Sequence, residues 1–282
     1  MSVKLGNRRK TGTEQFYTPK DLARSLVAEV RNYLGDFADQ SFLEPACGNG
    51  SFVTALRDFG ASDVTSIDKY PLIADATEVD YLDYLPPGSD YVTVTNPPFG
   101  RNNSLSIPFF NHAASHSQLI AFLVPRSWRK WSVQNRLDTN FHLVSDQDVF
   151  VSYEDAEGNR LAKRNELRTC FQIWERRVEL RALIEVPDNG FLQRTTPQSA
   201  DIAIRVFGYG CGTVMTDFPR VANTTLMFLK ASGAEVVRLL PSLNFQRFSR
   251  NTAYTEALSL PEINFLLNEA IYGDGYHREG SR

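Results

Sequence analysis

Between residues 118 and 124 the chain runs through Leu119, Ile120, Ala121, Phe122, Leu123 and Val124 without a polar interruption. A strand of that composition cannot leave either face in water, so it demands a sheet covered on both sides, the setting of a central parallel strand. Shorter strand-like segments precede it at 41–44, 64–67 and 91–95, with helical stretches between them. Leu22, Leu26, Val27, Val30 and Leu34 fall on one helical face; Thr18-Pro19 reads as an N-cap with proline at the first helical position, and Gly35 as the stop. Ser51 reads as the cap of the next helix, and a further helix is expected to end between 111 and 117. Strands alternating with helices imply right-handed βαβ units and an α/β, Rossmann-like, doubly wound and mostly parallel sheet.

Two later segments, 144–150 and 168–175, read as an antiparallel hairpin at the edge of that sheet. They are joined by a polar loop over 151–166 that contains Glu154, Asp155, Gly158, Asn159, Arg160, Lys163 and Arg164. Beyond about 181 the alternation stops. Strands at 201–207 and 224–230, glycine-rich turns and a helix at 261–271 predict a small α+β lobe. The expected organisation is a flexible basic arm over 1–15, a main domain over 16–181 and the small lobe over 182–282.

The balance of charge is uneven. Residues 1–35 carry seven Lys/Arg against three Asp/Glu, residues 36–91 two against eleven, and residues 121–181 eleven against nine. Basic flanks around an acidic centre suit a polyanion, and equally suit a solvated surface. Cys47, Cys170 and Cys211 are widely separated with no ligand-type spacing, so neither a disulfide framework nor a metal site is expected. No apolar run reaches membrane-span length and the first residues lack a signal-peptide core, which predicts a cytoplasmic protein with no membrane partner.

The loop after the first strand, Pro45-Ala46-Cys47-Gly48-Asn49-Gly50, lets backbone N–H groups and a helix N-terminus face a ligand closely. Asp68 ends the second strand, where a carboxylate can accept both ribose hydroxyls of an adenosine. Asp80, or Asp83 beside it, can accept from an adenine amine, and Phe52 or Tyr81 can pack on the adenine face. The third glycine of a dinucleotide loop is missing, which favours a cofactor without phosphates.

Asn96-Pro97-Pro98-Phe99 follows the third strand at the carboxyl edge of the sheet, where open α/β sheets place their ligands. Two prolines stiffen the turn and remove two donors, leaving carbonyl acceptors. The lone pair of an aromatic amine is delocalised into its ring. An Asn96 side-chain oxygen and a Pro97 carbonyl can accept the two amine hydrogens and localise that pair, while Phe99 offers a face for stacking. Cys47 sits in the glycine loop, so no thiolate is expected on the base side and covalent attack is not predicted.

With these residues in hand, the chain resembles the S-adenosylmethionine-dependent amino-methyltransferases that modify the N6 amine of adenine in DNA. The matching segments are Phe16-Tyr17-Thr18-Pro19, Leu43 to Gly50, Asp68, Asp80-Tyr81-Leu82 and Asn96-Pro97-Pro98-Phe99, spread over about residues 14–176 in the family's order. The resemblance implies S-adenosylmethionine as methyl donor without a metal. It implies a cofactor site of Tyr17, Thr18, Glu44, Pro45, Ala46, Gly48, Gly50, Phe52, Asp68, Asp80 and Tyr81, with Thr18 and Glu44 at the methionine end. Asn96, Pro97, Pro98 and Phe99 become the catalytic turn, and Phe171 or Phe150 a second aromatic against a flipped base. Arg8, Arg9, Lys10, Arg126, Arg129, Lys130 and Arg136 are candidate phosphate contacts, with Trp128 and Trp131 interleaved. The implied partner is DNA or RNA, for a free-standing modification enzyme or the partner of a restriction nuclease encoded elsewhere. RNA adenosine, a protein glutamine amide, or a cofactor-binding partner subunit without activity stay open as alternatives.

Overall fold

The computed structural model describes residues 17–155, 158–160 and 167–278, and these divide into two compact units, 1–183 and 184–282. The first unit contains α1 (Lys20–Leu34), β1 (Ser41–Glu44), α2 (Ser51–Asp58), β2 (Asp63–Asp68), β3 (Thr77–Glu78) and β4 (Tyr91–Thr95). It continues with α3 (Ser106–Ala113), β5 (Ser117–Pro125), α4 (Trp131–Gln134), β6 (Phe141–Val149) and β7 (Thr169–Arg176). The strands form one sheet in the order β3-β2-β1-β4-β5-β7-β6. Pairing is parallel from β3 through β5 and antiparallel from β5 to β7 and from β7 to β6. This is the doubly wound, mostly parallel sheet with an antiparallel edge hairpin that the apolar run predicts.

Side-chain alternation along the strands sorts the core into two layers. Phe42, Val92, Val94, Leu119, Ala121, Leu123, Phe171 and Ile173 face α1 and α2, while Leu43, Tyr91, Ile120, Phe122, Val124, Cys170 and Trp174 face α3. Phe110 of α3 sits at the middle of the second layer, in edge-on contact with Phe122, Trp128, Phe141 and Trp174. Trp128 is fully buried there and donates its indole N–H to Ser106 Oγ (3.2 Å). It is a core residue rather than one poised for sugar or base.

Two cap assignments change. Helix α1 begins at Lys20, so Pro19 takes the capping position and Thr18 does not bond the helix. Ser51 is the first residue of α2 and Gly50 takes the capping position; Asn49 Oδ1, one residue earlier, accepts from the Ser51 backbone N–H (3.3 Å) and hydroxyl (2.8 Å). The arm over 1–15 with Arg8, Arg9 and Lys10, as well as Phe16, Lys163 and Arg164, lies outside the described residues.

The second unit holds β8 (Leu192–Arg194), β9 (Ile202–Arg205), β10 (Val214–Met215), β11 (Leu226–Ala231), α5 (Ala234–Leu239), α6 (Gln246–Ser249) and α7 (Leu260–Tyr272). Its strands form an antiparallel sheet in the order β10-β9-β11-β8. Ile202, Ile204, Met227 and Leu229 on one face pack with Ile263, Leu266 and Leu267 of α7. That helix starts on a capping box, in which Ser259 and Glu262 satisfy each other's backbone, and stops at Gly273.

Candidate functional site

The carboxyl ends of β1, β2 and β4 deliver three loops to one edge of the sheet, and these, with Tyr17, Thr18, the segment 80–82, Leu105 and Phe109, line a cavity of about 230 Å³. Tyr17, Thr18, Pro45, Ala46, Gly48, Phe52, Asp68, Asp80, Tyr81 and the whole Asn96-Pro97-Pro98-Phe99 turn stand on its wall. Two segments read separately as a cofactor loop and a catalytic turn therefore share one cavity.

The glycine loop is shaped by close approach. Gly48 has φ +47°, and a Cβ there would lie 2.9 Å from the Tyr17 ring. Its N–H donates to Asp68 Oδ2 (2.8 Å), and the Tyr70 N–H to Asp68 Oδ1 (2.7 Å). The Asp68 carboxylate is thus held by two backbone donors, with a lone pair left on each oxygen for hydroxyls of a ligand. Gly50, at φ +76°, does not reach the cavity. Its missing side chain makes room for Ile73, whose Cγ2 would be 2.8 Å from a Cβ, so its contribution is to the turn.

Asp80, not the exposed Asp83, faces the cavity. Its Oδ1 accepts from the Leu82 N–H (3.2 Å) and its Oδ2 from Lys69 Nζ (2.9 Å). The Lys69 bond lowers its pKa, against the opposing effect of burial. Lys69 itself is on the wall, as are Leu105 and Phe109, none of which stood out in the sequence.

Tyr81 is buried, and its hydroxyl lies 2.8 Å from His116 Nε2. The Ser115 hydroxyl donates to His112 O (2.8 Å), so Ser115 Oγ is left to accept from His116 Nδ1 (3.0 Å). That fixes the tautomer: Nδ1 donates and Nε2 accepts the Tyr81 proton. Burial, with the His112 and Arg176 charges, lowers the His116 pKa to about 4 and keeps the ring neutral.

In the Asn-Pro-Pro-Phe turn, Phe99 is buried and its carbonyl accepts from the N–H groups of Leu105 (3.2 Å) and Ser106 (3.4 Å). Gly100 (φ +67°) leaves no room for a side chain, since a Cβ would lie 2.5 Å from Ser104 Oγ and 2.9 Å from Leu105 N. Asn102 and Asn103 both have left-handed backbones, φ 55° and 61°, a region that asparagine takes more readily than other non-glycine residues and that recurs at functional turns. Burial pushes the Cys47 thiol well up, reinforced by the nearby Glu44 and Asp68, so this wall residue is no nucleophile.

Several expected participants lie elsewhere. Glu44 is fully buried behind the wall; its Oε1 accepts from Ala46 N–H (3.1 Å) and from the Thr95 hydroxyl, and its Oε2 has no hydrogen-bond partner among the described residues. Burial raises its pKa to about 8. Phe171 is an interior residue of β7, packed in the layer against α1 and α2, because strand alternation turns it away from the cavity. Phe150 is exposed and off the wall, 6.0 Å from the Arg126 guanidinium. Arg126 pairs with Asp148 (2.8 Å), and Arg129 grips Asp146 (2.6 Å) and Asp148 (2.7 Å). Neither arginine lines the cavity, nor does Lys130, which sits at the start of α4. Among the described residues no group of three or more His, Cys, Asp or Glu side chains is arranged to hold a metal ion, and no helix is long and apolar enough to cross a membrane.

No protein-family model and no curated protein matches the sequence. Among solved structures, the chain is similar to a candidate RNA methyltransferase from Pyrococcus horikoshii, at 16% identity and TM-score 0.49 over 62% of this chain and 93% of that one. It is also similar to a candidate class I S-adenosylmethionine-dependent methyltransferase from Listeria monocytogenes (18%, TM-score 0.46, 60% of this chain and 64% of that one). A third likeness is to the modification subunit of a candidate type I restriction enzyme from Vibrio vulnificus YJ016 (15%, TM-score 0.42, 60% and 46%).

Proposed function

We propose that this chain is an S-adenosylmethionine-dependent methyltransferase that modifies the N6 amine of adenine in DNA, working alone or with a nuclease encoded elsewhere. The observation that carries the reading is that Asp68, Gly48 and Asp80 line the same cavity as Asn96, Pro97 and Phe99. The residues present fit an adenosyl ligand. Gly48 leaves a gap that a Cβ would close, and Thr18 Oγ1 is buried on the wall with no hydrogen-bond partner among the described residues. Tyr17, Thr18, Pro45 and Ala46 would hold the methionine part, Asp68 the ribose, and Asp80 with Phe52 and Tyr81 the adenine. When bound, S-adenosylmethionine supplies an electrophilic methyl group.

The chain's own part is to make a poor nucleophile attack. The Asn96 side-chain oxygen and the Pro97 carbonyl accept the two amine hydrogens, which favours a tetrahedral nitrogen with a localised lone pair. Phe99 stacks on the base and fixes its plane. The amine proton becomes acidic only as the new bond forms, so no strong general base is required. A target within a duplex must be flipped out, at a cost of a few kcal/mol. The second unit is the candidate for reading the flanking sequence, with phosphate contacts from the basic arm. Arg126 and Arg129 are neutralised by Asp146 and Asp148, which makes an uncharged target, the side-chain amide of a protein glutamine, the second reading.

The test is methyl transfer from labelled S-adenosylmethionine into duplex DNA, RNA and protein, followed by digestion and mass spectrometry. Label as methylated adenine from DNA, abolished by Asn96→Ala, is the expected result. Label in glutamine, or in no adenine, would overturn it.

A further inference from the structure

The geometry points to Thr95 as a positioning residue that couples the occupied state of the cofactor loop to the geometry of the Asn96 turn. The inference rests on the reading of the cavity proposed above. Thr95 ends β4 and Glu44 ends β1, and these strands are parallel neighbours, in register at Leu43 and Thr93. One step further along each strand, the chain leaves the sheet as a wall of the cavity: Pro45 and Ala46 on one side, Asn96 and Pro97 on the other. Both Thr95 and Glu44 are fully buried.

A single oxygen, Glu44 Oε1, accepts from the Ala46 N–H and from the Thr95 hydroxyl. A displacement of Ala46 is therefore felt at Thr95, the residue immediately before Asn96. Other anchors of the loop, Cys47 N–H to Ile67 O (2.9 Å), Gly48 N–H to Asp68 Oδ2 (2.8 Å) and Leu72 N–H to Gly48 O (3.0 Å), run to β2 and the chain just after it rather than to β4. Ladder bonds between β1 and β4 hold the strands themselves; the Glu44 oxygen is a side-chain link between the two segments that leave them. A bridge of this kind transmits position only while both of its hydrogen bonds are made.

Thr95→Val keeps the shape and the β-branch while deleting the hydroxyl, and Thr95→Ser keeps the hydroxyl. The unreactive analogue sinefungin is titrated into each protein by calorimetry, and backbone hydrogen exchange is followed over 99–106, whose Leu105 and Ser106 N–H groups bond to Phe99 O. In the wild type, sinefungin binding is expected to slow exchange in this segment. In Thr95→Val binding persists and the slowing shrinks about fivefold, the effect of roughly one buried hydrogen bond; Thr95→Ser restores it. In methyl transfer, the valine variant loses kcat while its KM for the cofactor changes little. Wild-type slowing in Thr95→Val overturns the coupling. Failure of the wild type to bind sinefungin overturns the cofactor reading and this inference with it.

Discussion

Asn103 and Ser127 hydrogen-bond to each other twice, Nδ2 to Oγ at 3.1 Å and Oγ to Oδ1 at 3.2 Å, across twenty-four residues of sequence. The clasp ties the segment that follows the Asn-Pro-Pro-Phe turn to the chain leaving β5. It also holds Asn103 in a left-handed backbone that would otherwise be unfavourable. Ser127→Ala is expected to lower stability by about 1 kcal/mol. Asn103→Ala should cost about 1 kcal/mol more because alanine resists φ near +60°, and Asn103→Gly should recover that backbone share. Chemical denaturation of the three variants checks the order, and equal losses for Ala and Gly would refute the backbone argument.

Gly48→Ala is expected to weaken S-adenosylmethionine binding at least tenfold, about 1.4 kcal/mol. The new methyl group would lie 2.9 Å from the Tyr17 ring at a backbone angle alanine avoids, so either Tyr17 or the loop must move. Calorimetric titration measures this, and unchanged affinity would show that the loop can yield without consequence.

Two buried groups set opposing pH dependences. Glu44 is raised from 4.5 to about 8, so below 4.5 it is protonated in both folded and unfolded chains. Between 4.5 and 8 the unfolded chain ionises freely while the fold resists, and stability falls as pH rises, by at most about 1.4 kcal/mol per unit. His116 is lowered from 6.5 to about 4, so its contribution is intact above 6.5 and is lost as pH falls towards 4. The two slopes oppose each other between 4.5 and 6.5, which leaves the interval from 6.5 to 8 for reading Glu44 alone. Urea denaturation across that interval should show declining stability in the wild type and a flatter profile in Glu44→Gln. Parallel profiles would mean that Glu44 is not protonated in the fold.

Tyr81→Phe removes the donor to His116 Nε2, leaving a buried acceptor without its partner. A loss of about 1–3 kcal/mol is expected. The His116 pKa should not fall further, because only an acceptor role for Nε2 is lost. Carbon-detected imidazole titration by NMR reads that pKa, and a large further drop would contradict the tautomer assigned here.

Arg129→Ala tests the corrected role of that arginine. With Asp146 and Asp148 holding it, its loss should destabilise the β6–β7 hairpin while the salt dependence of the proposed nucleic-acid binding stays as it was. A reduced salt slope would return Arg129 to the phosphate contacts.

Much of the fold could be read from the apolar run at 118–124 and the loops that punctuate the strands before it, since both are local signals. The placement of Asp68 and Asn96 was legible for the same reason: Asp68 ends a strand and Asn96 directly follows one. What escaped is set by neighbours distant in sequence. Arg129 looks like a free cation until Asp146 and Asp148, seventeen and nineteen residues on, come alongside. Phe171 has the same composition signal whether it faces a base or the core, and only the register with β5 turns it inward. Glu44 lies beside the loop in sequence but its side chain turns back towards Thr95, fifty-one residues away. Thr95 and Asn103 carried no local mark at all.

The loops after β1, β2 and β4 that wall the cavity come from strands whose order in the sheet differs from their order in the chain, β1 lying between β2 and β4. No single βα unit carries that wall, whose residues run from Tyr17 to Phe109, so it exists only when the parallel pairing of β1 with β2 and β4 exists. Any molecule that fills the cavity therefore stabilises the whole first unit by mass action rather than one loop of it. Protease resistance gained on ligand addition should appear at cleavage sites across the sheet together, making the site its own reporter of global folding.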